Sequence, residues 1–266
     1  VKIVTGLVEP HFMAGYSGGR KVIAPGIAFE ETIRTFHSSR FMDDPCATSC
    51  NLEGNPLHEE QLEIVKMLGG PIIGFNTVIN ESRELIFASF GDVVKSHIVA
   101  VKFAKNSCEV NVGRKFSTVL TSAAGYPLDK TYYQTVKGMV TPLDILQEGG
   151  NLIIVSECSE GLGSKSFFDS QKRLLHLGEK KFYETIKGRT MAEIDEWQTE
   201  MQMRSMRVGK IKLFAPALKK DDRILTGVDV IEDITESIAE SINIQDSPEI
   251  AVIPEGPYVI PFSRIV

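Results

Sequence analysis

Apolar and polar residues alternate in blocks that predict a regular succession of strands and helices. The opening run VKIVTGLV, residues 1–8, is typical of a buried strand. Similar apolar runs predict strands at 72–79, 85–90, 118–122, 151–156, 210–215, 223–225 and 249–253. Apolar residues three or four positions apart predict helices at 29–41, 56–68, 130–139 and 231–242, one that begins after Asp92, and several between 165 and 207. This alternation indicates an α/β protein with mostly parallel sheets flanked by helices.

Chain length and one polar segment predict two domains. The 266 residues exceed the usual size of a single domain, and the segment around 108–115 is more polar than its surroundings. We therefore expect one domain at 1–112 and a second, Rossmann-like domain at 113–266. Because the chain opens on Val1 directly in a strand, we also expect that a segment of the same protein precedes it.

Composition argues against several classes of function. The chain has 29 basic and 35 acidic residues, a net charge of −6, and no long run of like charges, so no nucleic-acid partner is expected. It has neither a signal peptide nor an apolar stretch of about 20 residues, so no membrane association is expected. Four scattered cysteines predict a reducing, cytoplasmic location. Cys46 and Cys50 lack the second pair of a zinc site, and we interpret them as loose thiols.

The most informative segment is residues 10–21, PHFMAGYSGGRK. Glycines free its backbone to approach a bound group, and His11 and Lys21 flank them. The order of residues is neither that of a P-loop nor that of the G-x-G-x-x-G dinucleotide fingerprint. Taken by itself, the segment suggests a phosphate site or a glycine-rich turn with a solvated Arg20-Lys21 pair.

Downstream residues extend this segment into a longer pattern. Pro25-Gly26, Thr32-Ile33 and His37 follow it, giving H-x-x-x-G-Y-S-G-G-x-K, then P-G, then T-I-x-x-x-H. His37 comes one turn after Ile33, so we expect it to point inward from the helix at 29–41. The full pattern resembles the nickel-pincer lactate racemase family.

The resemblance implies a cofactor and the residues that hold it. The residue matching Lys21 would form a thioamide bond to a nickel-pincer nucleotide, pyridinium-3-thioamide-5-thiocarboxylic acid mononucleotide, and His37 would be the one protein ligand of its Ni(II). Soft sulfur ligands with one imidazole suit Ni(II). Cofactor-synthesis enzymes would be partners, and a recombinant chain made without them would lack the cofactor. Further cofactor contacts are expected from Tyr16, Ser17, Gly18 and Gly19.

The resemblance also implies an activity. His11 would be one of two acid/base groups that exchange a proton with the substrate hydroxyl, as imidazole can near neutral pH. The implied reaction is racemisation or epimerisation of a 2-hydroxy acid by reversible hydride transfer to the tethered pyridinium. Residues 1–112 would be the C-terminal part of the cofactor-attachment domain, and 113–266 would close the active-site cleft.

A second block, residues 125–138, is similar to the second-domain motif of the same family. There, the residues matching Gln134 and Lys137 reach the substrate carboxylate and the cofactor, and three positions apart on a helix they share one face. Trp197, the single tryptophan, matches a residue that borders the active site, although core packing explains it equally well. The loop 156–163 follows a predicted strand, and its Glu157 and Glu160 are open to either interpretation.

Several alternatives stay open. Phe36 and Arg20 depart from the pattern of the lactate enzymes, which leaves the identity of the 2-hydroxy acid open. The chain could instead be a nucleotide- or phosphate-binding α/β protein without covalent nickel chemistry, or a structural component that retains the motif. We interpret the remaining histidines, which have no comparable context, as structural or solvated: His58, His97 and His176.

Overall fold

The protein, here a computed structural model, is described for residues 1–264 and divides into two compact units. The first unit comprises Val1–Glu109 together with Gly188–Met191, and the second comprises the rest of the described chain. The division after Glu109 lies within the polar segment 108–115. No helix among residues 1–264 has both the length and the apolar character to cross a bilayer.

The first unit contains a three-stranded sheet with helices on one face. Its strands are β1 (Lys2–Leu7), β2 (Pro10–His11), β3 (Gly15–Tyr16), β4 (Ile72–Ile79) and β5 (Leu85–Asp92), and its helices are α1 (Arg20–Ile23), α2 (Glu30–Phe36), α3 (Ser39–Met42), α4 (Pro56–Met67) and α5 (Val93–Cys108). The sheet order is β1-β4-β5, with β1 parallel and β5 antiparallel to β4. Strands β2 and β3 form a separate short hairpin.

Side-chain caps start the two long helices of this unit. The Asn55 side chain accepts hydrogen bonds from the amides of Leu57 and His58 at the start of α4. The Asp92 carboxylate does the same for Val94 and Lys95 at the start of α5. These caps satisfy amides that have no partner inside the helix, which sets where each helix begins.

The helix predicted at 29–41 is interrupted, and the prediction of one continuous helix is wrong. Helix α2 ends at Phe36, His37 caps it, and Ser38 has an extended backbone with φ −71° and ψ 154° before α3 starts. The Ser38 hydroxyl donates to the Thr35 carbonyl at 2.7 Å. This local bond competes with helix continuation and places His37 at a helix end.

The second unit is a doubly wound α/β layer structure, as the sequence predicts. Its elements are β6 (Glu109–Asn111, which starts at the last residue of the first unit), β7 (Phe116–Ser122), α6 (Tyr132–Val140), a 3-10 helix (Thr141–Asp144), β8 (Leu146–Val155), α7 (Lys165–Leu177), α8 (Glu179–Ile186), α9 (Glu196–Val208), β9 (Lys210–Phe214), α10 (Lys220–Leu225), β10 (Asp229–Ile231), α11 (Ile234–Gln245), β11 (Ala251–Ile253) and β12 (Ile260–Phe262). Five strands form a parallel sheet in the order β10-β9-β8-β7-β11.

The strand predicted at 223–225 is wrong, because those residues belong to α10. Asp221 and Asp222 lie in the first turn of that helix, where negative charge is favourable to the helix dipole. The strand of this region, β10, lies a few residues later.

Strand order creates a topological switch point between β7 and β11. From β7 the chain adds β8, β9 and β10 on one side and then returns to place β11 on the other. Open α/β sheets bind ligands beyond the carboxyl ends of the strands at such points. Here the Ser122 hydroxyl at the end of β7 donates to the Pro254 carbonyl just after β11, which closes the two loops on each other.

A small polar cluster joins the sheet to α11. The Ser241 hydroxyl lies 2.7 Å from the Thr118 hydroxyl and accepts a hydrogen bond of 2.8 Å from the side-chain amide nitrogen Nδ2 of Asn151. All three side chains are buried, and Thr118 and Asn151 are direct neighbours in β7 and β8. Burying a polar group costs free energy unless the group is hydrogen-bonded, so both strand residues depend on Ser241 as their partner.

We expect Ser241→Ala to lower the free energy of unfolding by about 1–3 kcal/mol, because Thr118 and Asn151 lose a buried partner. Urea denaturation of the purified protein measures this. The matched control is Ser237→Ala on the same buried side of α11, whose hydroxyl has no such cluster. Equal losses in the two variants would show that the cluster contributes nothing specific.

Candidate functional site

The β2–β3 hairpin presents His11 at its start. His11 pairs with Gly15, whose φ of +75° and close approach to the Asn51 carbonyl exclude a side chain. The Nδ1 atom of His11 accepts hydrogen bonds from the amides of Ala14 (3.2 Å) and Met13 (3.5 Å). A neutral ring that accepts at Nδ1 carries its hydrogen on Nε2.

Tyr16 and Ser17 use their side chains to hold the fold. Tyr16 is 1% exposed, lies in an apolar cluster with Val8, and donates from its hydroxyl to Glu109 Oε1 at 2.9 Å. The Ser17 hydroxyl donates to the Leu7 carbonyl at 2.7 Å. The motif predicts that both residues contact a cofactor, and the hydrogen bonds of their side chains show that both also serve the fold.

The Gly18-Gly19 turn is required by the packing of the first unit. Both residues have positive φ, and a Cβ atom at Gly19 would lie 2.5 Å from the His97 ring. The Gly19 amide donates to Asn76 Oδ1 at 2.9 Å. The turn therefore lies directly on side chains of α5 and β4, and only glycine fits there.

Lys21 follows this turn on α1 and is half-buried, whereas the adjacent Arg20 is 1% exposed. The expectation of a solvated Arg20-Lys21 pair is therefore wrong for Arg20. Its guanidinium donates to the carbonyls of Tyr16 and Ala14, and burial lowers the pKa of Arg20 to about 9.

His37 caps α2 and is half-buried. Its Nδ1 atom lies 2.7 Å from the Ile33 carbonyl oxygen. Since a carbonyl oxygen can only accept, Nδ1 carries the hydrogen and the ring lone pair is on Nε2. A backbone carbonyl that fixes the tautomer in this way is the usual support for a metal-binding histidine.

In the second unit, Gln134 and Lys137 share the less buried side of α6, as the sequence predicts. The opposite side packs into the core through Tyr132, Thr135, Val136 and Met139. Gln134 Oε1 is buried and has no hydrogen-bond partner among the described residues. Such an acceptor is costly without a partner, so the position suits a ligand that donates to it.

Tyr133, for which the sequence predicts no role of its own, connects α6 to Trp197. Trp197 is 8% exposed, and its indole nitrogen donates to the Tyr133 hydroxyl at 3.1 Å. Burial, followed by the negative charge of Asp195, raises the pKa of Tyr133. The available signal was its position next to Gln134 in the same block.

A cavity of about 340 Å³ lies beside this tyrosine and is lined by Thr131, Tyr133, Glu160, Gly163, Ser164 and Asp195. It includes Glu160 of the loop 156–163, which pairs with Lys130, and does not include Glu157. Both glutamates are solvent-exposed. The cavity lies within the second unit, beside the loop that follows β8.

The other polar candidates are structural in character. His58 and His97 are buried and His176 is exposed, in line with the expectation for all three. All four cysteines are free thiols, and Cys50 packs against the apolar cluster that contains Tyr16 and Cys108. Neither Cys46 nor Cys50 is therefore assigned a functional role.

Known proteins share this chain's two-part organisation. Residues 113–261 match the lactate racemase C-terminal domain, and residues 1–49 match the lactate racemase N-terminal domain. The first match covers more than half of the chain. The chain belongs to the lactate racemase family.

Two named relatives show how far the likeness extends. The chain is 34% identical over 263 residues to lactate racemase from Thermoanaerobacterium thermosaccharolyticum, covering 97% of this chain and 60% of that protein. It is 35% identical over 166 residues to lactate racemase from Lactiplantibacillus plantarum, covering 62% of this chain and 39% of that one. The chain therefore spans 60% or less of the length of these relatives.

Solved structures agree with the fold. The lactate racemase apoprotein from T. thermosaccharolyticum has a TM-score of 0.90 at 31% identity, covering 97% of this chain and 62% of that one. A protein from Thermotoga maritima has a TM-score of 0.69 at 15% identity, covering 97% and 66%. The second likeness shows the fold alone.

The buried histidines predict a pH dependence of stability. Burial, followed by the charge of Arg20, lowers the pKa of His97 to about 3 and that of His58 to about 4, against an ordinary value of 6.5. The folded state keeps both neutral while the unfolded chain protonates, so stability falls as the pH drops below about 6.5. We expect a loss of about 1 kcal/mol per pH unit from each histidine between pH 6 and pH 4.

Urea titrations at several pH values measure this slope. His97→Gln should flatten it, and the exposed control His176→Gln should leave it unchanged. Parallel pH profiles for wild type and His97→Gln would contradict the assignment.

Proposed function

We propose that this protein is a racemase or epimerase of a 2-hydroxy acid that uses a lysine-tethered nickel-pincer nucleotide. The observation that carries the proposal is the state of His37, whose Nδ1 is held by the Ile33 carbonyl with the lone pair on Nε2. Together with Lys21 at the matching place in the motif, it supplies both protein attachments that the cofactor needs. Membership of the lactate racemase family supports the same reaction class.

The residues present fit such a cofactor. Lys21 offers an amine for covalent attachment, and His37 offers the Nε2 lone pair of its imidazole to a metal. Its carbonyl partner at 2.7 Å would keep the ring oriented. When bound, the nucleotide supplies a hydride acceptor, which no side chain of this protein can provide.

His11 is proposed to exchange the proton of the substrate hydroxyl. In the present conformation its Nδ1 accepts from two backbone amides, so Nε2 carries a hydrogen that can be donated to a substrate oxygen. To act as a base, the ring has to accept a proton at a nitrogen with a lone pair. The long amide contacts of 3.2 and 3.5 Å are weak enough to be exchanged for that purpose.

Gln134 and Lys137 are proposed to contact the substrate carboxylate and the cofactor. A lysine ammonium attracts a carboxylate by charge, and the glutamine amide can donate to it while its buried Oε1 accepts from the ligand. This role is consistent with the unsatisfied Oε1 atom of Gln134. Trp197, held by Tyr133, would border the same site.

The two departures from the lactate pattern do not identify the substrate. Phe36 is 4% exposed and packs edge-on against Phe41 at 6.0 Å between ring centroids, and Arg20 is 1% exposed. Both side chains therefore serve the interior of the first unit. Lactate and larger 2-hydroxy acids are both candidates for the substrate.

Mass spectrometry of the full-length protein, coexpressed with the cofactor-synthesis enzymes, tests the attachment. We expect the peptide that contains Lys21 to carry the mass of the nucleotide after denaturation, and Lys21→Ala to abolish it. The control Lys66→Ala removes an exposed lysine of the same unit and should leave it unchanged. An unmodified Lys21 peptide in the wild type would favour a noncovalent nucleotide- or phosphate-binding protein instead.

Metal analysis of the same preparations tests His37. We expect His37→Ala to keep the covalent nucleotide but to lose most of its nickel and its racemase activity, because one ligand is removed. His176→Ala is the matched control at an exposed histidine. Nickel content and racemisation equal to wild type in His37→Ala would overturn its assignment as the ligand.

A further inference from the structure

Arg20 directly precedes the proposed attachment lysine and is a deeply buried charged side chain. It is 1% exposed, and burial is the one cause that lowers its pKa. No carboxylate among residues 1–264 forms an ion pair with it. Burying a charge without a counter-charge costs free energy, so the hydrogen bonds that Arg20 makes are what stabilise it in the interior.

Those contacts all lie on one segment and one helix. Nη1 of Arg20 donates to the Tyr16 carbonyl at 2.8 Å, and Nη2 donates to the Ala14 carbonyl at 2.7 Å. Nη1 also lies 3.1 Å from His97 Nε2, which itself lies 2.9 Å from the Ser17 carbonyl oxygen. The planar guanidinium thus holds the carbonyls of Ala14 and Tyr16, and the imidazole, in the tautomer with its hydrogen on Nε2, holds that of Ser17.

The geometry points to a function for this pair: we propose that Arg20 and His97 are positioning residues that set the direction of Lys21. This inference rests on the proposed role of Lys21 as the attachment point. Successive residues on a helix point about 100° apart. Since Arg20 is anchored inward, the direction in which Lys21 leaves α1 is set as well.

The opposite side of the turn is fixed by the same helix. The His97 ring fills the space where a side chain at Gly19 would lie, at 2.5 Å from its Cβ position. The Gly19 amide is held by Asn76, whose amide nitrogen donates to the Ser96 hydroxyl at 3.0 Å. The backbone just before Lys21 is therefore held by His97 and Asn76 at Gly19 and by the hydrogen bonds of Arg20 to the preceding carbonyls. Substituting Arg20 removes its hydrogen bonds without creating a steric clash.

The test measures how the Lys21 amine is presented, with no cofactor involved. Brief acetylation of the folded protein, followed by peptide mass spectrometry, gives the labelling rate of Lys21 relative to the exposed Lys95 on α5. Arg20→Lys keeps the charge but lacks the planar fork that donates to the Ala14 and Tyr16 carbonyls from two nitrogens at once. We expect it to raise the relative rate about threefold or more, because the half-buried Lys21 gains mobility.

Matched variants separate positioning from general stability. Arg83→Lys alters an exposed arginine of the same unit and should leave Lys21 labelling unchanged. His97→Ala should raise the labelling rate, and His97→Gln, which can place an amide nitrogen near the site of Nε2, should restore it. The two His97 variants decide the matter if Arg20→Lys does not fold.

A relative labelling rate within the wild-type range in both Arg20→Lys and His97→Ala would overturn the proposal, even if both variants melt at a lower temperature. That result would assign the pair a structural role only. Because the assay needs no nucleotide, its outcome is independent of whether Lys21 becomes modified in the coexpressed protein.

Discussion

The hydrogen bonds of the buried Arg20 guanidinium organise the first unit's candidate site. They join the carbonyls of Ala14 and Tyr16 in one rigid fork, so the hairpin that presents His11 and the turn that precedes Lys21 become one piece. Burial, followed by the uncompensated positive charge of Arg20, lowers the pKa of the neighbouring His97 and His58 and keeps both rings neutral. Packing accounts for the glycines of the motif, since an added Cβ atom would meet the Asn51 carbonyl at Gly15, the Val8 side chain at Gly18 and the His97 ring at Gly19.

In the second unit, a helix that packs on the parallel sheet positions the candidate residues. Gly138 brings α6 close to the sheet, because any side chain there would meet the Ser122 carbonyl and Ile154. The buried side of α6 packs into the core, which leaves Gln134 and Lys137 on the accessible side. Tyr133 ties this helix to α9 through Trp197 and Gln198, so the candidate ligand contacts stand on regular elements rather than on loops.

Proposed reactive residues and structural residues alternate along the motif. His11, Lys21 and His37, which are proposed to meet the ligand, are half-buried, while Tyr16 and Arg20 between them are in the interior. The motif of this chain therefore reflects two kinds of constraint. One concerns the chemistry, and the other concerns the shape of the loop that presents it.

The spacing of residues along the chain predicts much of this structure. The apolar periodicity predicts most strands and helices of both units, the parallel sheet of the second unit, and the shared face of Gln134 and Lys137, because each depends on spacing along the chain. Residue order alone also indicates the family, since the motif is long and ordered. The break at Ser38, the helix at 220–225, the interior position of Arg20 and the tautomer of His37 were decided only by the tertiary structure. The interior position of Arg20 depends on the Ala14 and Tyr16 carbonyls that its side chain reaches in the folded chain. The break at Ser38 and the tautomer of His37 depend on hydrogen bonds to the nearby Thr35 and Ile33 carbonyls, and apolar periodicity does not record which side-chain hydrogen bonds form.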